Sequence, residues 1–310
     1  MKKILLLIFV VMLIYGCGEN ENFAPDKIEE INYSNLFFGS DSTFDILTWN
    51  LKEFPINDYQ TTDYVAYAIL YLNPDVIAFQ EIQSGTYFYN LLEKLNTLDS
   101  LNTWEKKKSH SAYEDYNLAY LYNTNTIECD IDLDIYEIFN DDDEGHYWAF
   151  PRAPLIFELS WNENDIIICN NHFKALSGQE NEARRKAASD SLHFYFSTNL
   201  PQHNLIMLGD LNDDLTEPLD DNVFESFLAD TLNYQFVDME IALSDTADWS
   251  YPSWPSHLDH ILISNELFDE MENNASKVKT ISIDEYLQNG WTEYENNISD
   301  HRPVGLKLEF

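Results

Sequence analysis

Basic residues are scarce in this chain. Lysine and arginine number 17 against 55 aspartates and glutamates, and the formal net charge is −38 over 310 residues. A surface of that sign repels polyanions at long range. It argues against tight, non-specific nucleic-acid binding, which needs cations to neutralise phosphates. It leaves catalysis on phosphates open, because divalent cations can neutralise an acidic rim. Cysteine is rare too, with 3 residues and no metal-binding spacing. With Cys17 set aside, Cys129 and Cys169 remain, either free or paired in an oxidising compartment. No Gly/Ser/Pro-rich linker follows residue 40 and no internal repeat is visible, which favours one domain over two. Beyond the N-terminus no apolar run is long enough to span a bilayer.

Hydrophobic residues make up 45% and aromatics 15%, enough for a sizeable core despite the charge. The N-terminus reads as a targeting segment. Lys2 and Lys3 precede the apolar run Ile4–Ile14, which is too short to span a membrane comfortably. It ends in Ile14-Tyr-Gly-Cys17, which resembles a bacterial lipoprotein lipobox. On that reading residues 1–16 are removed and Cys17 carries the lipid. The alternative is an ordinary secretory signal with an incidental cysteine. Residues 17–40 are polar and acidic and read as a tether. The catalytic domain is expected over 41–310, at the cell envelope, periplasmic or on the cell surface.

The stretch Asn204-Leu-Ile-Met-Leu-Gly-Asp-Leu-Asn-Asp213 organises the rest. Leu205–Leu208 has the length of a buried strand. Gly209 at its end marks a tight bend or a close backbone approach. Asp210 and Asn212 follow two positions apart, so on extended chain they face the same way. Other strand-like runs end in polar residues as well. Phe44–Trp49 delivers Asn50, and Val76–Phe79 delivers Gln80 and Glu81. Asp165–Asn170 delivers Asn171 and His172, Asp259 opens the strand ending at Ser264, and Asp300 and His301 precede the last strand. Helices are expected from a Thr61 or Thr62 cap to Leu72, over Tyr87–Leu98 and over Glu180–Leu200. Strands and helices alternate without strict βαβ order, which implies mixed sheets. Residues 102–116 read as a polar loop holding Lys106, Lys107 and Lys108. The acidic run 141–144 reads as a solvated turn, with calcium binding the alternative.

Taken together, six motifs identify a family. Thr48-Trp-Asn50, Pro74-Asp-Val-Ile-Ala-Phe-Gln-Glu81, Asn171-His-Phe-Lys174, Gly209-Asp-Leu-Asn212, Leu258-Asp-His-Ile-Leu-Ile263 and Ser299-Asp-His-Arg-Pro-Val304 occur in this order. The chain resembles the endonuclease/exonuclease/phosphatase superfamily, with its DNase I-like fold. The resemblance implies an α/β four-layer sandwich: two mixed β-sheets face to face, flanked by helices. It implies Mg2+, with Mn2+ or Ca2+ as alternatives, held by Glu81 with Asn50 beside it and Asp300 contributing. It gives Asp210 the attacking water, Asn212 a phosphate oxygen, and Asp259 the task of fixing His301. His172 matches a second histidine near the scissile phosphate, as donor or general acid. Arg152 matches more loosely a basic residue that faces phosphate, and a structural arginine is the alternative.

The expected activity is hydrolysis of phosphodiester bonds, with DNA or RNA outside the cytoplasm as first choice. Lipid head groups, inositol phosphates or other small phosphoesters are the alternative, and a non-catalytic surface protein is a third reading. The lysine triplet would be the contact for flanking phosphates if the substrate is nucleic acid. Aromatics of Tyr251-Pro-Ser-Trp-Pro255 could stack on a base or head group. The expected partners are a phosphoester and, through Cys17, a membrane, with the protein itself a monomer.

Overall fold

A computed structural model describes residues 33–110, 116–140 and 146–310. The signal segment, Cys17 and the acidic run 141–144 lie outside the described residues. In chain order the first strands are β1 (Phe44–Phe54), β2 (Val76–Ile82), β3 (Trp104–Lys108), β4 (Asn117–Asn123), β5 (Ile127–Glu128) and β6 (Ile135–Glu137). They are followed by β7 (Leu155–Trp161), β8 (Asn164–His172), β9 (Asn204–Asp210), β10 (Tyr234–Phe236), β11 (Asp259–Ser264), β12 (Lys277–Thr280) and β13 (Val304–Leu308).

Among the described residues these form two sheets. One has six strands in the order β12-β13-β1-β2-β4-β3; the other has seven, β10-β11-β9-β8-β7-β5, with β6 on β7. Both are mixed. β1 and β2 run parallel in the first and β8 and β9 parallel in the second, while their outer neighbours are antiparallel. The expected sandwich of two mixed sheets flanked by helices is the observed fold.

The sheets meet over one apolar layer. Ile46, Ala78, Ile168, Leu208, Ile261 and Leu306 come from strands of both sheets and are all buried in it. A second layer packs the outer face of the seven-stranded sheet, through Cys169, Leu205 and Met207, against Ala188, Leu192 and Phe196 of the helix Gln179–Asn199. The helix Asp58–Leu72 starts before Thr61 and Thr62, so neither caps it; both are buried inside it, and Thr61 Oγ1 accepts the Asn57 N–H at 2.8 Å. The helix Gly85–Leu98 is capped by Ser84, whose hydroxyl accepts the Tyr87 N–H. Cys129 and Cys169 are free thiols, so the disulfide alternative fails.

Two boundaries move. The domain does not begin at residue 41: Tyr33, Leu36 and Phe38 are 0%, 3% and 2% exposed. The Gly39 N–H bonds to the Leu72 carbonyl at 2.7 Å, and Lys307 Nζ donates to the Phe38 carbonyl at 2.7 Å. Residues 33–38 were read as tether because Tyr33 stands apart and Leu36-Phe37-Phe38 is too short a run to mark a regular element. The lysine triplet is not on a loop either; it lies on β3, paired to β4 from Trp104↔Asn123 to Lys108↔Ala119.

A protein that starts at residue 41 should therefore be less stable than one that starts at 33. Burial of each large apolar side chain is worth about 1.5–3 kcal/mol, so the three together give about 5 kcal/mol. Chemical denaturation of both forms checks this, and equal midpoints would show that 33–40 is only a tether.

Candidate active site

Side chains of a strand alternate between its faces, and this places most of the site. Ile46 of β1 faces the other sheet, so Thr48 and Asn50 do too. The same inward column carries Val76 and Ala78 to Gln80, Ile166 and Ile168 to Asn170 and His172, and Ile206 and Leu208 to Asp210. In β11, which runs antiparallel to β9, Ile263 and Ile261 lead back to Asp259, opposite Asp210. Each column is apolar in the core and becomes polar at the same edge of the sandwich.

Beneath the site lies a buried polar floor. Gln80 Nε2 donates to Asn170 Oδ1 at 2.8 Å and to Thr48 Oγ1 at 3.0 Å, while Asn170 Nδ2 donates to the Phe79 and Ala119 carbonyls. Gly209 explains how closely β8 and β9 approach here. Its φ is 142°, and a Cβ would stand 1.9 Å from the Asn171 carbonyl oxygen, so no other residue fits.

Glu81 has the wrong parity for this face. It reaches the site through a backbone irregularity: its φ is 63°, and the pairing of β2 with β1 and β4 slips around it. A non-glycine residue in this region carries strain that surrounding contacts must offset. Here Glu81 Oε2 accepts the Glu53 N–H at 2.9 Å, and Oε1 accepts Asn50 Nδ2 at 3.3 Å.

Asp210 is the centre of the cluster. Its Oδ2 accepts Asn50 Nδ2 at 2.9 Å and lies 3.5 Å from His172 Nε2 and 3.8 Å from His301 Nε2. Its Oδ1 accepts the Asn212 N–H at 3.1 Å. His301 Nδ1 faces Asp259 Oδ2 at 2.7 Å, so that carboxylate fixes the proton on Nδ1. The His301 ring lies 4.7 Å from that of Tyr251. Trp49 Nε1 donates to the Tyr294 hydroxyl at 3.0 Å, and that hydroxyl donates to the His301 carbonyl at 2.6 Å.

The two histidines are driven apart. Burial opposes a charge on His301, but Asp259 and Asp210 outweigh it and raise the imidazole to about 10. Burial holds His172 well below its ordinary value, and Arg152, His301 and Lys174 add to this. Burial also raises the Asp210 carboxyl, with His301 opposing and Asp259 adding. Near neutral pH His301 is therefore a cation and His172 a neutral donor, which favours the donor role for His172 over the general acid.

Asn50, Glu81, His172, Asp210, Asp259 and His301 are thus brought together as expected. Asn212 stands beside them, its φ 56° and its amide on the Phe173 carbonyl at 3.3 Å. Asp300 is tied to Lys52 at 2.9 Å. The Arg152 guanidinium lies over the Tyr116 ring at 5.4 Å, and its charge reaches His172. Lys52 and Asn170 were not anticipated. Asn170 was readable as two positions before His172 on one face; Lys52 had no sequence signal.

The donor set fits a hard divalent cation. Asp210, Asp259 and His301 each place a ligand atom within 4.8 Å of the others, Glu81 shares the Asn50 amide with Asp210, and Asp259 Oδ1 is buried without a hydrogen-bond partner. Asn50 turns its NH2 to Glu81 and Asp210 and its oxygen to the Lys52 N–H at 2.8 Å, so ligation by that oxygen requires the amide to turn over.

A model of the endonuclease/exonuclease/phosphatase family matches residues 47–301. The chain belongs to the endonuclease/exonuclease/phosphatase family. No curated relative matches it. Solved members of similar fold include D. rerio TDP2 complexed with single-strand DNA product, at 13% identity and TM-score 0.63 over 87% of this chain and 100% of that one. The human Nocturnin catalytic domain with bound sulfate gives 18% identity and TM-score 0.61 over 87% and 95%. A family protein from Bacteroides thetaiotaomicron gives 14% and 0.61 over 86% and 97%. Members of the family are hydrolases of phosphoester bonds.

If Asp210 takes a proton and His301 supplies positive charge, activity should rise with pH through the raised Asp210 titration. It should fall as His301 loses its proton near 10. Asp259→Asn removes the main support of the His301 charge, so the alkaline limb should move to lower pH. Profiles of kcat/KM against pH for both proteins test this, and an unmoved alkaline limb would assign it to another group.

Proposed function

We propose that the protein is a divalent-metal-dependent phosphodiesterase that cleaves nucleic acid outside the cytoplasm, anchored to a membrane through Cys17. The observation that carries the chemistry is the buried Asp210 held between Asn50, His172 and His301. Asp210 orients a water molecule and accepts its proton as the water attacks phosphorus in line. Asn212 and neutral His172 donate hydrogen bonds to non-bridging oxygens. His301, kept charged by Asp259, stabilises negative charge as the ester bond breaks. A divalent cation held by Glu81, Asp300 and a turned Asn50 would supply further charge neutralisation on the phosphate. The nucleic-acid reading draws support from the fold neighbours, one of them solved with a single-strand DNA product.

A second reading, a small phosphoester, is favoured by where the cations are. Lys106 lies over the rings of Phe88 and Tyr89, and Lys107 bonds the Ile131 carbonyl at 3.0 Å. Arg185 is held by Asp213, Arg302 by Asp284, Lys186 by Glu225 and Lys52 by Asp300. The cationic side chains whose charge reaches His172 are Arg152, Lys174 and His301. That inventory suits one phosphate better than a row of them.

The deciding experiment assays the purified protein with Mg2+ on DNA, RNA and a small chromogenic phosphodiester over a salt series. Excess EDTA and Glu81→Ala should each abolish hydrolysis, and calorimetry should show Mg2+ binding lost in the variant. Turnover that persists in EDTA would remove the metal from the reading. On DNA, contact with a row of phosphates gives a salt slope of about −0.9 for each phosphate on duplex. A slope near that of a single contact favours the small ester.

The anchor is tested separately. Cys17→Ser should move the protein from the detergent phase to the soluble fraction or leave the precursor uncut. Unchanged partitioning rules out the lipid.

A further inference from the structure

Behind the catalytic cluster lies a second group of titratable side chains, equally removed from water. Asp238, His257 and His260 are 0%, 4% and 0% exposed, and one ligand atom from each lies within 4.8 Å of the others. Hydrogen-bond accounting decides what the group is. Asp238 Oδ2 faces His260 Nδ1 at 2.6 Å and His257 Nε2 at 3.0 Å, and Oδ1 accepts the Ile261 N–H at 2.9 Å. His260 Nε2 faces the Asp213 carbonyl oxygen at 2.9 Å. A carboxylate and a carbonyl only accept, so both nitrogens of His260 carry protons and the ring is an imidazolium. For His257, the Ser250 N–H points at Nδ1 at 3.3 Å. Nδ1 is then the acceptor, and the one proton of this ring is on Nε2, towards Asp238. Nitrogens that carry protons do not ligate metals, so the group is an ion pair with a neutral histidine beside it.

The group touches both arms of the active site, through His260 at Asp213 and through His257 at Ser250. Asp213 ends the turn that bears Asp210 and Asn212. The Ser250 hydroxyl accepts the N–H groups of Leu258 and Asp259, each at 3.2 Å, and Asp259 fixes His301. Phe224 and Phe236 wall the His260 ring, with centroids 5.9 and 6.1 Å away, so it cannot swing to another partner. Burial opposes its charge, but Asp238 raises its pKa.

We propose that His260, held as an imidazolium by Asp238, is a positioning residue for hydrolysis, fixing the Asp210–Asn212 turn through the Asp213 carbonyl. It reaches neither substrate nor reacting atoms. The turn has other anchors: Arg185 Nε meets Asp213 Oδ2 at 2.6 Å, and the Leu211 N–H meets the Leu258 carbonyl at 2.8 Å. Loss of His260 therefore displaces the turn without unfolding it. The inference rests on the hydrolase reading, since it concerns the same turn.

His260→Phe leaves Asp238 as an unpaired buried charge and should lower the thermal midpoint. Adding Asp238→Leu removes that charge, which favours recovery, but leaves the His257 Nε2–H and the Ile261 N–H without their acceptor, so it should restore only part of the stability. The double variant still lacks the donor to Asp213. It should keep KM within about twofold and lose kcat by about tenfold, the cost of a small misplacement. Asp238→Asn lets a neutral His260 keep its Nε2 bond to Asp213 and should retain most of the kcat.

A stable double variant with the wild-type kcat would show that the pair only fills space and overturn the proposal. Should the double variant fail to fold, Asp238→Asn decides: a kcat as low as that of His260→Phe removes the anchor through Asp213. Nitrogen NMR of the wild type at neutral pH should show two protons on the His260 ring and one on that of His257, and one proton on His260 would equally overturn it. The NMR result stands whether or not any phosphoester is cleaved, so failure of the hydrolase reading is told apart from failure of this one.

Discussion

Asp210 sits where the two sheets meet, and its carboxylate is almost out of reach of water, 2% exposed. Burial of an ionised carboxylate is costly unless donors replace the lost water. Asn50, the Asn212 N–H and two histidines surround it for that reason. The same crowding sets their charges. Asp259 and Asp210 push the His301 imidazole up against the cost of burial, and burial, with Arg152 and His301 adding, holds His172 down. Separate acid–base states for chemically identical side chains follow from position alone.

That position depends on two sheets packed with their strand ends in step. Asn50 belongs to one sheet and Asp210 to the other, so their hydrogen bond spans the interface. The floor of Thr48, Gln80 and Asn170 spans it again one layer below. A polar network between apolar sheets is favourable only when its members are satisfied, and it then fixes how the two sheets register. The catalytic layer inherits its precision from this floor.

The alternation of β1, β8, β9 and β11 was legible in the sequence because period two is a local property. The polar residues that end each column stood out for the same reason. Glu81 was legible as a strand-end polar residue and within a motif, but nothing in its neighbours reports a left-handed φ, and counted on the alternation it would point away. Residues 33–40 were misread because their burial depends on helix and strand partners far along the chain, Leu72 and Lys307 among them. The lysine triplet was misread because charge count outweighed the alternation that pairs it with β4. Asp238 and His257 have no local signal at all; their meaning lies in their contacts with each other, with His260 and with Ser250.

The charge of the chain and the chemistry of the site bear on each other. A net charge of −38 raises the local concentration of cations and lowers that of anions. For a site that requires a divalent ion, the first effect is useful. For one that must meet a polyanion, the second is a penalty that only free cations could offset, and Arg185, Arg302, Lys186 and Lys52 are each bonded to a carboxylate of their own chain. Arg152 and Lys174 bring positive charge to His172. The net charge therefore favours cations near the protein at long range, while Arg152 and Lys174 set positive charge against His172 within that acidic field.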